Sequence, residues 1–93
     1  MDFIWETPDD IALKIAKRIK DVRKRRKITQ KQLAARSNVS YASYRKFEET
    51  GQIAFVSLIK IAMELGLTND INDLFTEPVY LSIQEVINEN KNS

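Results

Sequence analysis

The chain has 93 residues, and its 15 Lys and Arg residues nearly balance 13 Asp and Glu residues, which leaves a formal net charge of +2. This length suits one small domain, the charge excludes a histone-like polycation, and an apolar fraction of 43% excludes a disordered chain. Because the chain has no His and no Cys, a disulfide framework, a zinc site with imidazole or thiolate ligands, and a Ser-His-Asp or Cys-His nucleophile are excluded.

The first predicted helix begins at Thr7 and ends near residue 26 or 27. Thr7 supplies an N-cap hydroxyl, Pro8 suits the first helical position, and the two aspartates that follow place carboxylates in the first turn. Apolar residues then recur at spacings of four, four and three, which predicts one buried stripe of Ile11, Ile15, Ile19 and Val22. The opposite face is rich in Lys and Arg.

Two short helices are predicted next, at 29–36 and 40–50. Thr29 and Gln32 have the spacing of a capping box, and Ser40 is an N-cap residue for the following helix, which ends at Gly51. Residues 37–39 form the turn between the two helices, and Asn38 is suited to a positive φ in this turn.

Three further helices are predicted from the remaining apolar pattern. The first covers 56–65. The second covers 70–75 and has apolar Ile71, Leu74 and Phe75. The third is short, starts at Ser82, and has Ile83, Val86 and Ile87 on one face. The predicted fold is therefore all-α: a compact array of four or five helices followed by a short extra C-terminal helix.

The segment 29–50 has the spacing of a helix-turn-helix. Ala34 supplies the small residue needed where the two helices cross, and Val39 supplies an apolar plug below the turn. Tyr44 and Phe47 lie three residues apart and anchor the inner face of the second helix. Its outer, N-terminal side is then free to enter a major groove, and this side carries Tyr41, Ala42, Arg45 and Lys46.

These residues are accompanied by a wider pattern that points to a known family. The stretches 19–23 and 28–30, with Leu33-Ala34, Val39-Ser40 and Phe47-Glu48, resemble the lambda-repressor-like (Cro/C1-type, XRE) helix-turn-helix family. Residues 58–62 and 65–67 are similar to its fourth helix. The resemblance covers roughly residues 11–75 and implies a bacterial or phage DNA-binding repressor domain of five helices. We place this domain at 7–76, between an N-terminal arm at 1–6 and a C-terminal extension at 77–93.

The resemblance also implies roles for individual residues. It implies base contacts from Tyr41, Ala42 and Lys46, joined by Arg45 on the same side, a phosphate contact from Gln30, and an ion pair between Arg23 and Glu48 that keeps Arg23 near the phosphates. Five neighbouring basic or hydroxyl side chains are expected to contact phosphates as well: Lys27, Thr29, Lys31, Ser40 and Ser43. The chain departs from the family where Lys27 and Asn38 replace frequent glycines, where Tyr44 replaces an aliphatic plug, and where Ile53-Ala54 replaces the usual Pro-Ser before the fourth helix.

Charge is segregated along the chain. Residues 14–46 contain 13 basic residues and one acid, residues 1–13 contain four acids and no base, and residues 47–93 contain eight acids and two bases. The basic block covers the first three predicted helices, which are the elements expected to face double-stranded DNA.

Several alternatives remain open at this stage. Lys and Arg on the first helix could be solvated only, Gln30 could be merely a good helix former, Tyr41 could pack on Arg45 instead of a base, and the Arg23–Glu48 pair could be a weak surface pair. Phe3, Ile4 and Trp5, like the apolar residues 79–87, could fold back on the core or form a subunit or partner interface. A homodimer is the expected assembly.

The alternative function is that of an antitoxin, which would bind a toxin protein through its termini and repress its own operon. Small helix-turn-helix proteins of this kind resemble the HipB-like partners of HipA-type kinases, which is why this alternative is kept. Catalysis is not expected, because no paired carboxylate arrangement accompanies the missing His and Cys. No cofactor, metal or membrane partner is expected. No apolar run approaches the length of a membrane span, and the acidic, aromatic N-terminus does not look like a signal peptide, so we expect a cytoplasmic protein.

Overall fold

In a computed structural model, the protein is described over residues 6–76, and this part of the chain is all-helical. Five helices follow one another, with short connections throughout: α1 (Pro8–Arg25), α2 (Gln30–Ser37), α3 (Tyr41–Thr50), α4 (Phe55–Glu64) and α5 (Thr68–Asn72). Residues 3–5, for which packing on the core and an interface were both left open, and the expected C-terminal helix lie outside the described residues. Within residues 6–76, no helix has both the length and the apolar character needed to cross a membrane.

Helix α1 begins as its sequence predicts. The Thr7 hydroxyl accepts from the Asp10 amide at 3.1 Å, and the Asp10 carboxylate accepts from the Thr7 amide at 3.1 Å, which completes a reciprocal capping box. The hydrogen bonds from the backbone and the side chain of Thr7 hold the pKa of Asp10 below its ordinary value. The first turn of α1 is therefore closed by its own side chains.

The predicted buried stripe of α1 is only half right. Ile19 is buried and Val22 is partly buried, but Ile11 and Ile15 are 45% and 38% exposed, so their predicted burial is wrong. The helix turns Ala16, Ile19 and Arg23 towards the core instead. Near the start of α1, Ala12 lies against Gly51, where an added Cβ atom would be 2.6 Å from a backbone atom of Ala12.

The α2–α3 unit has the two caps and the turn that the sequence predicts. Thr29 forms a capping box with Gln32, and the Ser40 hydroxyl accepts from the Ser43 amide at 3.0 Å. Asn38 takes the left-handed conformation at φ 57°, and Val39 is buried below it. The turn therefore reverses the chain within three residues without a glycine.

The last two helices differ from their predicted bounds. Helix α4 starts one residue early and has no side-chain cap at Ala54, as the missing Pro-Ser pair predicts. Helix α5 runs over Thr68–Asn72 rather than 70–75, and beyond its end Phe75 adopts a positive φ of 61°. Leu74 and Phe75 therefore lie outside the helix in which they were predicted, and they are 43% and 95% exposed.

The core lies where α1 packs on α3 and α2 packs on both α3 and α4, while α5 contacts α4. The largest fully buried side chains come from α2, α3 and α4: Leu33, Tyr44, Phe47, Ile61, and Leu65 just after α4. Tyr44 and Phe47 form a tilted ring pair with centroids 6.0 Å apart. Helix α3 is therefore anchored along its inner face by two aromatic rings.

A shallow apolar groove of about 390 Å³ remains on the flank formed by α1, α4 and α5. Its walls include Ile15 and Val22 of α1, Leu58 of α4 and Ile71 of α5, with Arg18 and Asp70 at its rim. The exposure of Ile15 thus reflects a groove that the described residues line but do not fill.

Candidate nucleic-acid interface

The inner face of α3 ends in a buried polar network centred on Glu48. Arg23 donates two hydrogen bonds to the Glu48 carboxylate, from Nε at 2.7 Å and from Nη2 at 3.1 Å. The Gln30 amide donates to the same carboxylate at 2.8 Å, and the Tyr44 hydroxyl donates to it as well. The two ion-pair side chains are only 9% and 3% exposed. Glu48 thus joins α1, the start of α2 and α3 through one carboxylate.

This network changes the acid–base properties of its members. Burial raises the pKa of Glu48, but the hydrogen bonds from Arg23, Tyr44 and Gln30 outweigh it and hold the pKa below its ordinary value. The hydrogen bond to Glu48 raises the pKa of Arg23, and burial raises that of Tyr44 far above its usual range. At neutral pH the network holds an anionic Glu48, a cationic Arg23 and a neutral Tyr44.

Arg23 also fixes the connection between α1 and α2. Its Nη1 donates to the Ile28 carbonyl at 2.9 Å, and Lys27 just before it adopts a positive φ of 56°. Lys27 thus occupies a position where the left-handed backbone favours glycine. Its basic side chain is exposed. The start of α2 is therefore positioned by a buried side chain of α1.

The outer face of α3 is exposed at all four residues expected to contact bases: Tyr41, Ala42, Arg45 and Lys46. Two cations lie over the Tyr41 ring, with Lys31 Nζ 5.4 Å and Arg45 Cζ 5.7 Å from its centroid. The packing of Tyr41 on Arg45, which the sequence left open, is therefore present, and it includes a lysine from α2 as well.

The residues expected to contact phosphates surround the same face. Lys27, Thr29, Lys31, Ser40 and Ser43 are exposed and Gln30 is half-buried. Several of their polar atoms already have partners, because the Ser40 hydroxyl donates to Ser43 Oγ at 2.8 Å and Thr29 is engaged by its capping box. Gln30 keeps its second amide hydrogen and its backbone amide for a ligand, since the first amides of a helix lack intrahelical partners.

A second basic surface lies beside this network. Lys17, Lys20 and Lys24 of α1 line a cleft that reaches Glu48, together with Asp21. Since the Glu48 carboxylate already accepts from three side chains, it has little capacity left to bind these lysines. Nine of the 13 basic residues of the basic block belong to α1 and the turn that follows it, so positive charge extends well beyond α3.

Two arrangements in this interface were missed from the sequence. The first is the participation of Tyr44 and Gln30 in the Glu48 network, and the second is the contact of Lys31 with Tyr41. The i, i+4 spacing of Tyr44 and Glu48, and of Tyr41 and Arg45, was a usable signal for the contacts within α3. Contacts from α2 depend on how the two helices cross and had no local signal.

Comparison with known proteins agrees with this geometry. A helix-turn-helix family model matches residues 19–69, more than half of the chain. That span contains the turn at Asn38, the Arg23–Glu48 pair and all four exposed residues of the outer face of α3. No curated protein matches the chain by sequence. The chain therefore belongs to the Cro/C1-type helix-turn-helix family of DNA-binding regulators.

Proposed function

We propose that the protein is a cytoplasmic, sequence-specific transcriptional repressor. It places residues 40–50, which are α3 and its N-cap residue Ser40, in the major groove of its operator. The observation that carries this proposal is the contrast within α3. Its inner face is buried against the core and the Glu48 network, while its N-terminal outer face is exposed and basic. A rigidly held helix with a free, polar outer side is what direct readout of base edges requires. The protein acts by binding and not by catalysis.

Within this proposal the outer face of α3 meets the bases. Tyr41, Ala42, Arg45 and Lys46 lie on the side of α3 that faces the bases, here called the reading surface. Arg45 and Lys46 supply donors for guanine acceptors, and the Ala42 methyl group suits contact with a thymine methyl group. The phosphates are bound around this surface by Lys27, Thr29, Gln30, Lys31, Ser40 and Ser43. Arg23, expected from the family pattern to lie near the phosphates, is buried and donates to Glu48 and the Ile28 carbonyl, so it supports the start of α2 from behind. Gln30 contributes through its backbone amide and its remaining amide hydrogen, because the other is donated to Glu48.

A homodimer on a palindromic operator completes the proposal. Two copies of α3 would enter successive major grooves about 34 Å apart. The apolar groove of α1, α4 and α5 favours a protein contact of some kind on this flank, because exposed Ile15 and Leu74 border it.

The same groove supports a second candidate, an antitoxin that binds a toxin protein and represses its own operon. Co-purification of a toxin-like protein encoded by the adjacent gene, dependent on residues 1–6 or 79–93, would support the antitoxin. A particle mass of two chains that is unchanged when that neighbouring protein is added would support a plain dimeric repressor.

The central experiment is selection of a duplex from a random library, followed by titration of the selected duplex and a scrambled duplex at two salt concentrations. Lys46→Ala is expected to relax preference at one base position, by roughly 1–3 kcal/mol. Gln30→Ala is expected to weaken binding to both duplexes alike. Lys60→Ala, at an exposed position of α4 outside the interface, is the matched control.

The possible outcomes separate the role assignment from the function itself. Equal, uniform losses from Lys46→Ala and Gln30→Ala would refute the division between base and phosphate contacts. If the wild-type protein bound neither duplex, at low or at high salt, the repressor proposal would be refuted.

A further inference from the structure

The Tyr41 ring lies at the junction of α2 and α3 on the exposed face. It is the first residue of α3 and is 37% exposed. Lys31 reaches it from the second position of α2, and Arg45 reaches it from one turn further along α3. Both cations lie within the distance at which an aromatic ring attracts a positive charge. Three side chains from two helices thus form one cluster, here called the Tyr41 cluster: Lys31, Tyr41 and Arg45.

The members of the Tyr41 cluster would face different parts of a duplex. Lys31 belongs to the start of α2, where helix amides and a lysine suit a phosphate. Arg45 belongs to the outer face of α3, where a guanidinium suits the acceptor edge of a guanine. Because both cations lie over the ring, the ring is engaged by protein groups before any DNA arrives, which leaves it less available to a base.

Holding these cations in advance has a direct consequence for binding. Long Lys and Arg side chains lose rotamer freedom when a ligand immobilises them, and that loss weakens association. A ring that already restricts both side chains reduces the loss on binding. The hydroxyl of Tyr41 makes no hydrogen bond to residues 6–76, so the contribution belongs to the ring rather than to its polar end.

We propose that Tyr41 is a positioning residue, whose ring holds Lys31 for a phosphate and Arg45 for a base edge, and that it does not itself read a base. This inference rests on the proposed DNA-binding function. It differs from the expectation that Tyr41 contacts a base directly, and it ties the phosphate-binding start of α2 to the reading surface of α3.

The cluster is tested first in the free protein by NMR. The ring current of Tyr41 should displace the side-chain resonances of Lys31 and Arg45 in the wild-type protein and in Tyr41→Phe, and the displacement should vanish in Tyr41→Leu. The resonances of Lys60, distant on α4, are the internal control and should not change. Identical Lys31 and Arg45 resonances in wild type and Tyr41→Leu would overturn the inference.

The positioning role is then tested with the selected duplex. Tyr41→Leu is expected to bind roughly five- to thirtyfold more weakly, because Lys31 and Arg45 would then lose their rotamer freedom on binding, and Tyr41→Phe is expected to recover most of that affinity. Tyr41→Leu combined with Arg45→Gln should lose less than the two single changes together, because both act through the same guanidinium.

Three results would contradict the positioning role, and they differ in what they reject. If Tyr41→Phe lost as much affinity as Tyr41→Leu, the hydroxyl would be the functional group, and the positioning role alone would fall. If the wild-type protein bound no duplex, the proposed function would fall and the positioning role with it. A base preference that changes with Tyr41→Leu at a position unaffected by Arg45→Gln would also reject it, in favour of direct reading by Tyr41.

Discussion

The two faces of α3 have different roles, although their residues are interleaved along one helix: the inner face packs on the core and the outer face is exposed. On the inner face, Tyr44 and Phe47 are no more than 1% exposed, and Glu48 is saturated by donors from three elements. On the outer face, Tyr41, Ala42, Arg45 and Lys46 are exposed. Substitutions on the inner face should therefore change stability and the orientation of α3, whereas those on the outer face should change binding with little effect on stability.

The strongest test of this contrast is Glu48→Ala. It leaves the Arg23 guanidinium buried with only the Ile28 carbonyl as a partner, and removing one member of a buried ion pair costs about 3–5 kcal/mol. Urea unfolding followed by circular dichroism measures this loss. Glu49→Ala is the matched control, because Glu49 is the next residue of α3 and is exposed, so its effect should stay within about 0.5 kcal/mol. Equal unfolding midpoints for the two variants would contradict the structural role of Glu48.

The second test concerns the end of α3, where Gly51 meets α1. Gly51 has a φ of 81°, and an added Cβ atom would lie 2.6 Å from the Ala12 carbonyl carbon and 2.7 Å from its Cβ atom. Gly51→Ala combines left-handed strain with overpacking and is expected to cost about 2–4 kcal/mol.

Gly66→Ala isolates the backbone part of that effect. Gly66 has a similar φ of 76°, but its nearest neighbours for a Cβ atom are the Arg26 guanidinium nitrogens at 3.6 and 3.8 Å. Its expected loss is about 1–2 kcal/mol. If Gly66→Ala were as destabilising as Gly51→Ala in thermal or urea unfolding, the close approach of α1 to α3 at Ala12 would not be the cause.

The Glu48 network also predicts how stability depends on pH. Because the folded pKa of Glu48 is lowered from 4.5, its contribution is present above the unfolded pKa and is lost as the pH falls from 4.5 through the folded pKa. Because the folded pKa of Tyr44 is raised from 10.0, its contribution is present below pH 10 and is lost above it. The free energy of unfolding should therefore fall at both extremes, and Glu48→Gln should flatten the acid limb in urea titrations at several pH values. An unchanged acid limb in Glu48→Gln would contradict this origin.

Local signals predicted most of the fold, and long-range packing accounts for what they missed. The caps at Thr7, Thr29 and Ser40 each depend on residues within three positions, so they were readable directly. The apolar period of α1 was also readable, but a period does not reveal which part of the apolar stripe another helix covers. The burial predicted for Ile11 and Ile15 was wrong because they lie in a part of the stripe that remains exposed. In the interface, the family pattern indicated the Arg23–Glu48 pair, but the donors Gln30 and Tyr44 and the Lys31–Tyr41 contact depend on helix crossings.

The smallest expected effect, and the sharpest separation of stability from binding, comes from Lys27→Gly. Lys27 holds a positive φ of 56°, a conformation that costs about 1 kcal/mol for an L-residue, while glycine loses roughly 0.5–1 kcal/mol through its freer unfolded chain. The net change in unfolding free energy should lie between zero and a gain of about 0.5 kcal/mol. The same variant removes an exposed cation beside the start of α2, so its DNA affinity should fall and the slope of log affinity against log salt should decrease by about 0.9. Lys27→Asn, which tolerates the same backbone without the entropy of glycine, should show the same loss of binding. A salt slope unchanged in both variants would place Lys27 outside the phosphate contacts and leave its left-handed backbone as its only role.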